Sequence, residues 1–517
     1  MTTSEGRPDQ ALSASGDAHR AGTLRIGEDG HESGASVPKL ATGISGFDHV
    51  SMGGLPARRA TVVAGQAGSA KTVFAGQFLA EGVRRGQPGV FVTLEEPAAD
   101  LRANLKTLGF DVAAWEEAGD WRFVDASPLT TSVGAAPYSL ETLTAQIGHA
   151  VDATGAERLV LDSLNGVLGL HDDPAAARQL LRQLIASMRA MGLTIVLTVE
   201  TPGDPGGTLS RYGIEEFVAD NVVLLRNVRE EAFRRRTIEV LKMRGAMHHK
   251  GDVPFTVLPG QGVVVLPVGE PEQDPSTLDQ RVSSGNPGID RLAHGGFFRG
   301  SSTLVSGPIG TGKTLMSLQF AADGAQHGER VLLMSYEETR EQLYRLGTSL
   351  GHDLRSYEDH GLLKMVSLYP EVASLEDHLV EIRSLVERYQ PTRLVLDSLS
   401  ALERLGSAPS YRGFVIGLTS YVKQIGLASL MTAAAPHLVG GTSVTESHIS
   451  GLIDAIVVLR YVEADSALKR GILVLKMRGS SHEQQICELI IDEGRMSVGE
   501  PFTGLGGILS GQAVPRV

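Results

Sequence analysis

The chain has 517 residues, 42% of them apolar, with 47 basic against 60 acidic side chains and a formal net charge of −13. That length and apolar content suit two sizeable cores, since a domain seldom exceeds roughly 250 residues, while the acidic balance excludes a chain-wide electrostatic footprint for nucleic acid but not a local one. The single cysteine, Cys487, excludes an internal disulfide and a C-x-x-C site and suits a reducing cytosol; no apolar run approaches ~18 residues and no secretory start is present, so a cytoplasmic protein without a membrane span is expected.

Residues 1–36 are rich in Ser, Gly, Asp, Glu and Ala with almost no apolar periodicity. Burial cannot offset the ordering entropy of such a segment, and a disordered tail is predicted. A first domain is predicted over 37–267, opening with TGISGFDHVSMGGLPAR from Thr42. An apolar run, TVVA, then leads into GQAGSAKT at 65–72 and a helical stretch, VFAGQFLAEGVRRG. Strand, glycine loop, helix is the setting of a phosphate-binding loop. The backbone of Gly65, Gly68, Ser69 and Ala70 would cradle phosphates at a helix N-terminus; Lys71 would reach the β and γ phosphates of ATP, and the Thr72 hydroxyl would ligate Mg²⁺. Ala70 departs from the G-x-x-x-x-G-K-[ST] pattern, where a methyl disfavours positive φ or crowds the phosphate; binding is expected to survive, with turnover slowed.

Glu95 and Glu96 end the strand-like VFVTLEEP. One carboxylate would activate the attacking water or hydroxyl and the other support position or charge; a solvated strand end is the alternative. LVLDSLNGVL places Asp162 at the carboxyl end of a buried strand, beside the loop, where it would orient Mg²⁺ and its waters; a strand-end cap is the alternative. After a helical stretch at 174–192, the run Arg234, Arg235 and Arg236 reads as a solvated strand end rather than a nucleic-acid patch. In the tetrapeptide KMRG, Lys242 and Arg244 lie two apart on a strand, point one way and would clamp a γ-phosphate of their own loop or a neighbour's, unless they form a solvated strand face.

Proline and acidic residues mark VGEPEQDPSTLDQ, 268–280, as a linker. The whole pattern then repeats over a second domain, 281–506. SGNPGIDRLAHGGFFRG begins at Ser284, and GPIGTGKT at 307–314 matches the loop pattern in full: Gly307, Gly310, Thr311 and Gly312 in the loop, Lys313 on the phosphates, Thr314 on Mg²⁺. Glu337 and Glu338 stand in VLLMSYEET, Asp397 in LVLDSLSAL, and Lys476 with Arg478 in a second KMRG. Lys71 and Lys313 are 242 residues apart, and shared blocks in the same order mean duplication of a whole fold. The fold class is α/β, each copy a mostly parallel sheet with helices on both faces.

The paired loops, the two Glu-Glu pairs, SRYGIEEFVADNVVLLRNV from Ser210, KMRGAMHHKGDVPF from Lys242, TESHISG from Thr445 and KMRGSSH from Lys476 together resemble the KaiC-like family, double-domain ATPases and autokinases of the RecA superfamily at the centre of the cyanobacterial clock. The resemblance covers nearly everything from about residue 37 to the C-terminus. It implies a tandem duplication of a RecA-like P-loop ATPase domain, assembled as a homohexameric double ring with ATP at subunit interfaces in both tiers. The N-terminal ring would hydrolyse ATP and the C-terminal ring would phosphorylate serine or threonine of its own chain. Carried over by residue, Lys71, Thr72, Glu95 and Glu96 serve the first site, with Lys242, Arg244 and His248 from the adjacent subunit. Lys313, Thr314, Glu337 and Glu338 serve the second, with Arg470, Lys476, Met477 and Arg478 from the adjacent subunit. Glu337 would activate the acceptor hydroxyl and help hold Mg²⁺.

Where the family has an adjacent Ser-Thr pair of phosphoacceptors, this chain has Ser450 followed by Gly451. One acceptor of the pair remains, which implies a two-state switch in place of a four-state cycle; a turn or cap role for Ser450 is the alternative. The tail GILSGQAVPRV, 507–517, resembles the family's C-terminal loop and stops before the segment that recruits an activator. A KaiA-type activator is therefore not expected, whereas a KaiB-like or response-regulator/histidine-kinase partner fits the implied signalling role.

Two other classes remain open at this level. A nucleotide-sensing scaffold, in which Ala70 and Gly451 mark lost activities, would bind ATP without kinase activity. A RecA-like DNA-dependent motor needs a basic channel and stacking loops; the acidic balance, the 5% aromatic content and the absence of a basic run interleaved with aromatics argue against it.

Overall fold

The computed structural model describes residues 37–126, 140–168, 173–201, 218–230, 233–266, 279–435, 449–464, 467–492, 495–503, 505–506 and 514–515. The predicted tail 1–36, the predicted linker apart from 279–280, and 445–448 of the acceptor motif lie outside these residues.

The main strands of the first half are β1 (Ala60–Gly65), β2 (Gly89–Thr93), β3 (Trp121–Asp125), β4 (Arg158–Asp162), β5 (Thr194–Glu200), β6 (Asn221–Glu230), β7 (Phe233–Met243), β8 (Val253–Leu258) and β9 (Gly262–Val265). Those of the second are β10 (Ser302–Gly307), β11 (Val331–Ser335), β12 (Leu363–Ser367), β13 (Arg393–Asp397), β14 (Ala428–Ala434), β15 (Ala455–Ala464), β16 (Ala467–Met477), β17 (Cys487–Asp492) and β18 (Arg495–Pro501). Among the described residues each half forms one nine-stranded sheet. The order is 9-8-7-6-1-5-4-2-3 in the first and 18-17-16-15-10-14-13-11-12 in the second, the same topology shifted by nine strands. From β3 to β6 every pairing is parallel, and β6 to β9 pair antiparallel; the second sheet repeats this division.

Strand residues alternate between two faces, and both faces are covered. In β1, Ala60, Val62 and Ala64 enter one apolar layer and Val63 the other; in β4, Leu159 and Leu161 oppose Val160 in the same way. This is why the parallel strands read as unbroken apolar runs. One layer is closed by helices Leu140–Thr154 and Pro174–Ala190, the other by α1 (Lys71–Arg84) and α2 (Ala98–Thr107). In the second half α3 (Lys313–Gln326) stands where α1 does, while α4 (Leu375–Tyr389) and α5 (Ala408–Gln424) close the opposite face. Each fully buried Leu or Val contributes about 1.5–3 kcal/mol. No helix among the described residues is long and apolar enough to cross a membrane.

The halves share a core. Val264 and Leu266 of the first half are buried in the same cluster as Leu375, Leu379 and Tyr411 of the second, with Phe233 and Leu258 packed against it. Around this seam Arg235 Nε donates to Glu376 Oε1 at 3.2 Å, the Thr256 hydroxyl donates to Asp377, and Ser410 Oγ donates to Glu230 Oε2 at 2.7 Å. The arginine run is therefore not a solvated strand end: Arg235 binds the other half and Arg236 is half-buried, with Arg234 exposed. Near the C-terminus Leu505–Gly506 pairs antiparallel with Val514–Pro515.

Candidate functional site

Each phosphate loop is a tight turn between a buried strand end and a helix start. Gly65 ends β1, Gly68 takes φ 73° and Ala70 φ 72°, and α1 begins at Lys71. In the second loop Gly310 and Gly312 take φ 79° and 104° before Lys313. Both loops thus make the left-handed turn, with alanine in one and glycine in the other. The Ala70 methyl packs against the apolar layer on the α1 face of the sheet, so the core accommodates it. A Cβ on Gly65 would fall 2.4 Å from Ser69 Oγ, and one on Gly307 2.7 Å from Leu459 O, which leaves no room for a side chain at either strand end.

The two lysines have matching geometry. Lys71 Nζ donates to Gly65 O at 2.8 Å and Gln66 O at 2.9 Å; Lys313 Nζ donates to Gly307 O at 2.8 Å and Pro308 O at 2.9 Å. Burial lowers the pKa of both. Glu200, Asp162 and Glu95 oppose that shift at Lys71, and Asp397 and Glu337 oppose it at Lys313. An anionic phosphate would restabilise each ammonium.

Thr72 Oγ1 donates to Asp162 Oδ2 at 2.7 Å, and the Thr198 hydroxyl donates to Asp162 Oδ1. In the second half the Thr432 hydroxyl donates to Asp397 Oδ1, while Asp397 Oδ2 is buried without a hydrogen-bond partner among the described residues. Burial, with Glu337 adding to it, pushes the Asp397 carboxyl above the usual range, while Thr432, Thr314 and Lys313 pull it down. The loop hydroxyl against the Asp162 carboxylate in the first half, and the unpaired Asp397 oxygen in the second, each suit Mg²⁺ and its waters. Among the described residues no three His, Cys, Asp or Glu side chains are grouped to hold a metal by themselves, so such an ion would depend on phosphate oxygens for ligands.

The paired glutamates diverge. Glu95 accepts from the Ser163 hydroxyl, and Glu337 Oε1 accepts from Ser398 Oγ at 2.6 Å; each serine directly follows the strand-end aspartate. Glu96 Oε1 instead accepts from Asn104 Nδ2 on α2 at 2.6 Å, and Glu338 is held through its backbone, by Ser335 Oγ at 3.0 Å and Ser367 Oγ at 2.8 Å. Burial, then Asp100 and Asp162, raise the Glu96 pKa. Within each pair the first carboxylate is the one tied to the serine that follows the aspartate, and its charge is felt by the loop lysine.

Sequence reasoning missed Ser163, Ser398, Thr198, Thr432 and Glu200. The serines and threonines recur in both copies, so alignment of the two halves held the signal for them. Glu200 lies opposite Gly65 in register, where the second half has Ala434 opposite Gly307, and its Oε1 is 3.9 Å from Lys71 Nζ. Its signal was the difference between the copies.

The KMRG residues are not brought onto the loops of their own halves. The strands end at Met243 and Met477, so the arginine of each pair lies in the following turn rather than on the strand. Lys242 Nζ donates to Ala219 O at 2.8 Å, Arg244 is exposed and His248 is half-buried. Lys476 and Arg478 reach backbone carbonyls around Ser450. The Met477 side chain is buried in the core with its sulfur 3.7 Å from Arg281. Arg470 Nε donates to Gly310 O of its own loop at 3.2 Å. Among the described residues Ser69 Oγ is buried without a partner, whereas Thr311 Oγ1 donates to Pro308 O at 2.8 Å.

Comparison with known proteins agrees with this layout. A family described as "ATPase: KaiC" matches residues 40–270 and again 282–502. The chain is 48% identical over 477 residues, 92% of its length and 94% of the relative's, to circadian clock protein KaiC3 of Synechocystis sp. (strain ATCC 27184 / PCC 6803 / Kazusa). It is 41% identical over 484 residues, 93% of its length and 97% of the relative's, to circadian clock oscillator protein KaiC of Prochlorococcus marinus (strain MIT 9313). A similar protein from Parathermosynechococcus lividus is 41% identical over 477 residues, covering 92% of this chain and 88% of that one.

Proposed function

The chain belongs to the KaiC family of ATPases, and from that premise we propose that it is a cytoplasmic homohexameric switch that hydrolyses ATP in its first domain, 37–267, and phosphorylates Ser450 in its second, 281–506. The observation that carries this is the doubled geometry of loop lysine, strand-end aspartate and serine-tethered glutamate.

At the first site Lys71 draws charge from the phosphates and Glu95, tethered by Ser163, takes a proton from the attacking water, with Glu96 in support. At the second, Lys313 does the same while Glu337, tethered by Ser398, accepts the Ser450 proton as its Oγ attacks the γ-phosphorus and ADP departs. Thr72 with Asp162, and Thr314 with Asp397 and Glu337, would hold Mg²⁺, which when bound neutralises charge developing on the β and γ oxygens. Lys242, Arg244 and His248, and likewise Lys476 and Arg478, suit contact with a neighbour's nucleotide, while Arg470, held on Gly310 O of its own loop, would reach that nucleotide from the loop's rim. That makes turnover depend on assembly. The printed names of the relatives, a circadian clock protein and circadian clock oscillator proteins, support a signalling output read by a KaiB-like or response-regulator partner.

Purified protein incubated with γ-labelled ATP and Mg²⁺ tests the assignment. Label in the wild type that both Glu337→Gln and Ser450→Ala abolish is the expected result. Phosphate release without label would leave an ATPase ring and remove the kinase, and neither signal would leave a nucleotide-sensing scaffold.

A further inference from the structure

Ile449, Ser450 and Gly451 form one 3-10 turn just before β15. So short a turn leaves carbonyls without internal partners. Three carbonyls here end on two cations: Lys476 Nζ donates to Ser450 O at 2.8 Å and to Ile453 O at 2.6 Å, and Arg478 Nη2 donates to Gly451 O at 2.7 Å. Arg478 N donates to Asp454 O at 2.9 Å, and Asp454 Oδ1 accepts from Lys423 Nζ at 2.9 Å. Ile449 and Ile453 are buried on either side, while Ser450 is half-buried and Gly451 exposed. In the first half Lys242 reaches Ala219 O, the counterpart of Ile453 O. That bond recurs in both copies, and those to Ser450 and Gly451 fall on the acceptor turn itself.

We propose that Lys476 and Arg478 are positioning residues that hold the Ser450 turn of their own chain against a neighbour's γ-phosphate. The proposal rests on the assignment of Ser450 as acceptor. An ammonium has three N–H donors; two of those on Lys476 are occupied by carbonyls, which leaves one for a phosphate oxygen. The same side chain then spans acceptor backbone and donor phosphate and sets the distance from Ser450 Oγ to phosphorus, on which transfer depends steeply. In that transfer the Oγ–P bond forms, the bond from the γ-phosphorus to its bridging oxygen breaks, ADP leaves, and the hydroxyl proton passes to Glu337 of the neighbouring subunit. Neither cation gains or loses a proton.

The test uses the full chain carrying Glu95→Gln and Glu96→Gln, so that phosphate release reports the second site. Lys476→Met and, separately, the more exposed Arg478→Met are added, and amide exchange of 449–454 is followed with the ratio of Ser450 label to released phosphate. Faster exchange and a ratio lowered roughly tenfold or more are expected, because the phosphate still reacts but finds the serine misplaced. Unchanged exchange, or label and phosphate falling in parallel, would overturn the proposal, since a clamp on phosphate alone lowers both together. If the parent releases phosphate without label, the acceptor assignment fails, and exchange alone then decides whether the pair holds the turn.

Discussion

At the scale of single residues the two loops answer a question that their sequences pose. Ala70 and Gly312 occupy the same left-handed position, which opposes any side chain by about 1 kcal/mol. At Ala70 the methyl is packed against the core, and burying it returns about 0.8 kcal/mol. Ala70→Gly should therefore change stability by less than about 0.5 kcal/mol once the extra freedom of glycine in the unfolded chain is counted. Gly312→Ala has no such compensation, because its Cβ would lie 2.7 Å from Ile491 Cδ1 and 3.2 Å from Met496 Cε; a loss of about 1–2 kcal/mol is expected. Urea titration of both variants checks this, and equal effects would refute the packing account. Gly451 is the opposite case: among the described residues a Cβ there meets nothing within 4 Å, and its φ is not in the left-handed region. Gly451→Thr should fold normally and, if Ser450 is the acceptor, take phosphate as a second site. Phosphopeptide analysis showing label on Ser450 and none on the new threonine would rule out an acceptor turn that tolerates both positions.

At the scale of elements, α4 shows how a helix start can carry a pH response. Its N-cap Ser374 and N3 Asp377 form a capping box, and His378 in its first turn is 2% exposed, with Nε2 bonded to Pro370 O at 2.9 Å and its ring edge-on to Tyr336. Burial lowers the His378 pKa below its ordinary value of 6.5, with Pro370, Asp377 and Glu381 opposing. Above pH 6.5 the imidazole is neutral folded and unfolded, and costs nothing. As pH falls below that value the unfolded chain takes the proton first, and stability drops by about 1.4 kcal/mol per pH unit until the folded pKa is reached. His378→Gln, which keeps a donor for Pro370 O, should flatten this acid slope in denaturation curves between neutrality and mild acid; an unchanged slope would assign it to other groups. The regular elements around α4 were legible in the sequence, because apolar strands and glycine loops announce themselves by period and spacing. The strand-tethered serines and Glu200 were not, because a hydrogen bond from residue 163 to residue 95 joins positions 68 apart in the chain, a proximity no local pattern encodes. The arginine run was misread for the same reason, since Glu376, the partner of Arg235, lies 141 residues away.

At the scale of the molecule, the two halves are joined by more than a linker, and the joint has an ionic centre. Glu230, at the end of β6, accepts from the hydroxyls of Ser407 and Ser410 at the N-terminus of α5, where the helix dipole favours a carboxylate. Burial would raise its pKa, yet the two serines and Arg235 together hold it below the ordinary 4.5. Its contribution is therefore complete above that value and fades as pH falls through the folded pKa. Glu230→Ala would remove the shared acceptor of the Ser407 and Ser410 hydroxyls, which lie 3.0 Å apart and can satisfy only one donor between them, at a cost of about 1–3 kcal/mol. That cost falls on the contact between halves rather than on either core, since the apolar seam of Val264 and Leu266 against Leu375 and Tyr411 is untouched. Scanning calorimetry should accordingly show the transitions of the two halves drawing apart in Glu230→Ala, with little change in the nucleotide affinity of either isolated site. Coincident transitions at the wild-type temperature would mean that the apolar seam alone couples the halves, and any influence of one nucleotide site on the other would then have to travel by a different route.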